Sequence, residues 1–252
     1  VYHALANDSL NRVTDFHILN KQPTMSIVAS NYSQVCDRLR RACESSGREA
    51  GSVSLLAVSK TKPAEMVEEC YHLGQRAFGE NYLQDASDKI SALSHLRGLE
   101  WHFIGPLQSN KTRQVAEHFD WLETLDREKI ARRLSEQRPQ SLPDLCVLIQ
   151  INISREPQKS GILPEALTEF AQTVASLPRL KVRGLMCIPE DTDDEARLRA
   201  QFNEMHALWT SLRGIHPDAD TLSMGMSGDL ELAIECGATQ VRIGTDIFGA
   251  RG

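Results

Sequence analysis

"DTLSMGMSGDLELAIECGATQVRIGTDIFG", residues 220–249, decides how this chain folds. It divides into a short apolar run, "DTLSMG", an amphipathic stretch, "GDLELAIECG", and a second run, "TQVRIGTDIFG". The flanks read as strands and the centre as a helix. The same alternation recurs upstream. A strand over 181–188 leads to a long helix over 194–213. "LCVLIQINIS" is an apolar, β-branched strand of the kind buried on both faces, with a helix over 164–177 behind it. "DWLETLD" precedes "REKIARRLSEQ", and "LEWHFIG" precedes "SNKTRQVAEHF". A strand over 76–79 runs into a helix ending near His95. A strand over 53–58 is followed by a helix that Pro63 opens and Gly74 closes. Ahead of them, Val28, Tyr32, Val35, Leu39 and Ala42 recur at steps of three and four, one face of a helix.

Eight strands separated by helices predict an α/β protein with a single closed (β/α)8 TIM barrel. An open doubly wound sheet would leave two edges, and the chain has neither an edge-blunting strand nor a glycine-rich dinucleotide fingerprint. No repeat, low-complexity tract or linker divides it, so one domain over 25–252 is expected. The first 24 residues lack the basic-then-apolar order of a signal peptide. They are expected to be a tag or extension outside the fold, with Met25 as the natural start. Removing those 24 from 252 residues leaves 228, inside the range of roughly 200 to 400 typical of such barrels.

Composition narrows the function classes. A net charge of −6 argues against nucleic acid or anionic membrane as the main partner, and no apolar run approaches the ~20 residues of a membrane span. Six dispersed cysteines form no CxxC pair, and the histidines near them lack ligand spacing. A reducing cytoplasm and no metal site are expected.

Barrel chemistry gathers at the C-terminal strand ends. There the sequence offers Lys60, Asn81 in "GENY", His102, Asn152, Met186, and the loops "SMGMSGD" and "RIGTDIFG". Ser227 and Gly228 open a helix after strand seven, and Gly244 and Thr245 follow strand eight. Free amides, hydroxyls and close backbone approach at these two loops suit a phosphate. Each loop alone also reads as an ordinary N-cap or turn. Asp229 has to point away from any anion held there. Arg242 alternates with Val241 and Ile243, so it faces the barrel interior, either in a salt bridge to a carboxylate on another strand or against a ligand. Leu56, Val58 and Lys60 share a face. An inward lysine near Arg242 is a nucleophilic amine suited to a Schiff base, with Lys62 the weaker candidate. Lysine plus phosphate fits either a class I aldolase, for which Asp126 and Glu123 would be the carboxylates, or a pyridoxal 5′-phosphate (PLP) protein. The inward arginine favours PLP, whose pyridine nitrogen accepts a hydrogen bond.

"AVSKTKP" (57–63), "FGENYLQ" (78–84), "WHFIGPLQSNK" (101–111), "INISREPQKSG" (151–161), "RGLMCIP" (183–189), "SMGMSGDLELAI" (223–234) and "VRIGTDIFG" (241–249) closely resemble the pyridoxal phosphate homeostasis proteins of the YggS/PROSC type. The resemblance covers essentially all of 25–252. It implies a PLP barrel like the alanine racemase N-terminal domain, fold type III. It makes Lys60 the PLP lysine, lines the pocket with Asn81, and sets Ser227, Gly244 and Thr245 on the phosphate and Arg242 on the pyridine nitrogen. Lys159 resembles a further PLP-interacting lysine. The implied role is to buffer and deliver PLP to PLP-dependent apoenzymes, as a cytoplasmic monomer with little or no catalytic turnover. The alternative is a single-domain PLP-dependent racemase or lyase. It is disfavoured because the chain stops after strand eight, leaving no C-terminal β-domain to supply a tyrosine base. Arginine at the pyridine nitrogen also keeps the ring unprotonated, a poorer electron sink.

Overall fold

Helices and strands alternate along the whole described chain, residues 25–250 of a computed structural model. Residues 1–24, expected above to be a tag or extension, and residues 251–252 lie outside the described residues. The order is α1 (Ile27–Ser45), β1 (Ser54–Val58), α2 (Ala64–His72), β2 (Ala77–Glu80), α3 (Leu83–Ala92), β3 (Glu100–Phe103), α4 (Thr112–His118), β4 (Trp121–Leu125), α5 (Glu128–Gln137), β5 (Leu145–Ile151), α6 (Leu167–Ala175), β6 (Leu180–Cys187), α7 (Glu195–Ile215), β7 (Thr221–Ser223), α8 (Leu230–Glu235), β8 (Gln240–Ile243) and α9 (Thr245–Phe248). All neighbouring strands pair in parallel and β8 closes onto β1, giving the barrel that the strand count predicts.

Parallel pairing and the two-residue strand period sort the side chains into two sets. The outward set, including Ala57, Phe78, Phe103, Ile149, Leu185 and Val241, is buried beneath the helices and forms the main core. The inward set follows the register. Leu56 lies opposite Arg242, Gly79 opposite His102, and Ser223 opposite both Met186 and Gln240. The barrel interior is therefore partly polar.

Two departures from the sequence reading bear on the site. β1 ends at Val58, so Lys60 sits in a tight turn two residues beyond the strand. There the Lys62 amide donates to the Ser59 carbonyl at 3.0 Å and Thr61 takes φ 63°. His102 is 2% exposed inside the barrel, and Ile104 reaches the mouth in its place.

The first described helix starts at Ile27, capped by Ser26, whose hydroxyl accepts the Ala29 amide at 3.0 Å. A chain beginning at Met25 is therefore expected to keep the melting temperature and ligand affinity of the full sequence. Loss of either on truncation would show that the first 24 residues contribute to the fold.

Candidate functional site

A cavity of about 330 Å³ opens at the C-terminal mouth of the barrel. Every strand-end residue expected to bind a cofactor lines it: Lys60, Asn81, Ser227, Arg242, Gly244 and Thr245. Lys62 joins them, its amine donating to the Ala250 carbonyl at 2.6 Å. The apolar wall is Val58, Ile104, Met186, Ile188 and Met226. Of these only Met186 stood out as a strand-end residue. Ile104 was legible from alternation with His102, whereas Ile188 and Met226 lie in loops where no period points inward.

Arg242 is 6% exposed and held by three hydrogen bonds. One terminal nitrogen donates at 2.9 Å to both the carbonyl and the hydroxyl of Ser223, and the other donates at 2.8 Å to the Cys187 carbonyl. Among the described residues no carboxylate lies within ion-pair distance of it, so the expected alternative of a direct salt bridge is not what seats this side chain. A guanidinium has five N–H donors. Among the described residues two are left without an acceptor by these bonds, on a group whose position is fixed and which forms part of the cavity wall. The Cys187 thiol nearby is pushed by burial up to about 12 and stays neutral.

The loops after β7 and β8 supply more groups of this kind, donors without an acceptor. Among the described residues the amides of Ser227, Gly228 and Thr245 have no protein acceptor, and neither hydroxyl is hydrogen-bonded. Asp229 folds back, accepting the Met226 amide at 2.5 Å. Its carboxyl, pushed up mainly by burial, faces a neighbouring cleft with Glu231 and Glu235. The acid thus points away from the free amides, as an anion there requires.

Asn81 brings the reverse, an orphaned acceptor. Its side-chain oxygen is buried and has no partner among the described residues. It is set at the cavity by a close approach of Gly105, where a Cβ would stand 2.4 Å from the Asn81 carbonyl oxygen.

Other residues from the sequence reading fall elsewhere, among them Asp126, which accepts the Gly161 amide at 3.3 Å. Asn152 is buried and ties its loop together, donating to the Glu156 carbonyl at 2.8 Å. Lys159 lies in an adjoining cavity of about 200 Å³, donating to the Pro189 carbonyl at 2.8 Å and pairing with Glu156 at 2.6 Å. Glu123 is wholly buried inside the barrel against His102, away from the cavity wall.

A parallel barrel with a lysine at β1, an arginine on β8 and free donors after β7 and β8 is a barrel of the alanine racemase N-terminal domain class, whose profile matches residues 35–252. Within that class the chain belongs to the pyridoxal phosphate homeostasis protein family. It is 53% identical over 227 residues to the pyridoxal phosphate homeostasis protein of Pasteurella multocida, covering 89% of this chain and 97% of that one. It is 54% identical over 229 residues to its namesake from Escherichia coli, covering 90% and 98%. PipY of Synechococcus elongatus, solved with PLP bound, superimposes with a TM-score of 0.76 at 34% identity, over 89% of this chain and all of PipY. Alanine racemase from Corynebacterium glutamicum shares the fold, with a TM-score of 0.65 at 15% identity, over 87% of this chain and 62% of the enzyme.

Proposed function

We propose that the cavity binds PLP and that the protein buffers the cofactor and delivers it, as a cytoplasmic monomer, to PLP-dependent apoenzymes. The observation that carries this reading is the make-up of the cavity wall. Among the described residues it offers amines, a pinned guanidinium, hydroxyls and unused amides, and no carboxylate, imidazole, phenol or thiol. Ser227, Gly228, Gly244 and Thr245 would hold the phosphate, Arg242 the pyridine nitrogen, and the orphaned Asn81 oxygen suits the phenolic hydroxyl. When bound, PLP supplies an aldehyde, and Lys60 supplies the amine that captures it.

The same wall argues for little turnover. Racemisation or elimination needs proton transfer to and from the substrate carbon by a positioned acid–base group. Among the described residues the only such groups on this wall are Lys60 and Lys62, both from one turn. A donor at the pyridine nitrogen keeps the ring neutral and limits its capacity to accept electrons.

Titrating apo-protein with PLP should give a saturable visible band, and the loaded protein should not measurably racemise or degrade amino acids. Steady turnover of an amino acid would favour a single-domain racemase or lyase. Arg242→Ala should weaken PLP by about ten- to a hundredfold, the loss of a charge-assisted contact worth roughly 1.5–3 kcal/mol, while covalent capture by Lys60 persists. Unchanged affinity in a variant that melts lower without cofactor would leave Arg242 a purely structural role.

A further inference from the structure

The turn that carries Lys60 rests on a buried charged cluster outside the cavity. Lys89 on α3 is 3% exposed and Glu80 at the end of β2 is 0% exposed. The Lys89 ammonium donates to the Ser59 carbonyl at 2.7 Å, to Glu80 Oε1 at 2.8 Å and to Asp85 Oδ2 at 2.9 Å. All three of its N–H donors are thereby used. The Ser59 hydroxyl donates to the same Glu80 oxygen at 2.6 Å, and the Thr61 amide donates to Asp85 Oδ2 at 3.1 Å. Both neighbours of Lys60 are therefore anchored to one cluster.

Local preference does not explain the shape of this turn. Thr61 occupies the left-handed region at φ 63°, where a β-branched residue is disfavoured, so its surroundings must impose the conformation. Nor does stability explain the choice of residues. Burying a lysine with a carboxylate gains little net over apolar packing, because desolvation offsets the attraction. Among the described residues Glu80 Oε2 is even left buried without a partner. What the cluster provides that apolar residues would not is directional grip on a main-chain carbonyl and a main-chain amide, one on each side of Lys60.

We infer that Lys89, with Asp85 and Glu80, is a positioning device that fixes the β1 turn so that the Lys60 amine meets the cofactor aldehyde. The inference rests on the reading that PLP enters this cavity through Lys60. In the step concerned, the Lys60 nitrogen replaces the aldehyde oxygen, which leaves as water. Only this step depends on the turn. Contacts from the β7 and β8 loops and from Arg242 come from other elements.

Pyridoxine 5′-phosphate separates the two contributions, since it has the ring and phosphate of PLP but a hydroxymethyl group in place of the aldehyde. In the full chain, Lys89→Met should lower the preference for PLP over pyridoxine 5′-phosphate by about tenfold or more, the scale expected when a reacting group is displaced by a fraction of an ångström. Affinity for pyridoxine 5′-phosphate should stay within about twofold of wild type. Asp85→Asn, at a carboxylate whose side chain is 37% exposed, should fold normally and show the same loss to a smaller degree. An unchanged preference in either variant would overturn the inference, and so would a parallel fall in both affinities, which would make the cluster merely structural. If Lys89→Met fails to fold, Asp85→Asn decides alone. A wild-type protein with no preference for the aldehyde would instead remove the reading of Lys60 on which the inference stands.

Discussion

Lys60→Ala protein is expected to come out colourless, whereas the wild type carries a visible band that borohydride reduction converts to a stable pyridoxyl label on Lys60. The expectation follows from where the two lysines of "SKTKP" end up. Both line the cavity, but the Lys62 amine donates to the Ala250 carbonyl at 2.6 Å, and Lys62 adjoins Pro63, which caps α2. Lys60 sits on the turn gripped at Ser59 and Thr61. Phosphate and ring contacts survive the substitution, so weak non-covalent binding of PLP should remain, and Lys62 can capture a small fraction. Peptide mapping after reduction is the decisive measurement. A wild-type label found mainly on Lys62 or Lys159 would overturn the assignment.

Which parts of this site were legible in the sequence follows from how local their causes are. The free donors after β7 and β8 could be read because glycine and hydroxyl residues at helix starts carry their meaning within a few positions. The inward direction of Arg242 could be read from strand alternation. Its partners could not, because the Ser223 and Cys187 carbonyls come from β7 and β6 and meet it only when the barrel closes. The end of β1 was placed at Lys60, two residues too late, because the turn depends on Asp85, 24 positions downstream of Thr61. Lys89 was not legible, since nothing in "DASDKISAL" says that its ammonium reaches the Ser59 carbonyl after β1. The polar barrel interior was legible only in part: the alternation of Gln240 with Arg242 is visible, but the pairing of Glu123 with His102 is not.

That pairing sets the other large effect. Glu123→Ala is expected to destabilise the fold by about 3–5 kcal/mol, the cost of breaking a buried charged pair by removing one partner. Glu123 accepts from His102 Nδ1 at 2.7 Å, from the Gln240 amide at 2.6 Å and from the Ser223 hydroxyl at 2.8 Å, all out of water. Burial alone would raise its pKa, yet His102, Arg242 and Ser223 together hold it below 4.5. Burial likewise pulls the His102 imidazole down. Glu100, 3.9 Å away, and Glu123 outweigh it and hold the imidazole above 6.5. The two shifts act on opposite sides of neutrality. The depressed carboxyl contributes stability above about 4.5 that is lost as pH falls through its folded value. The raised imidazole contributes stability that is complete below about 6.5 and is lost as pH rises through its folded value. The stability gap between wild type and Glu123→Ala, measured by urea unfolding of the apo-proteins, should therefore be widest between these limits and narrow on either side. A gap that stays flat from about pH 5.5 to about pH 8.5 would mean that His102 does not carry the charge assigned to it. Because the Ser223 hydroxyl that binds Glu123 also accepts from Arg242, the same variant should loosen the guanidinium at the cavity wall and weaken PLP, an effect that pure loss of stability would not produce in protein that is still fully folded.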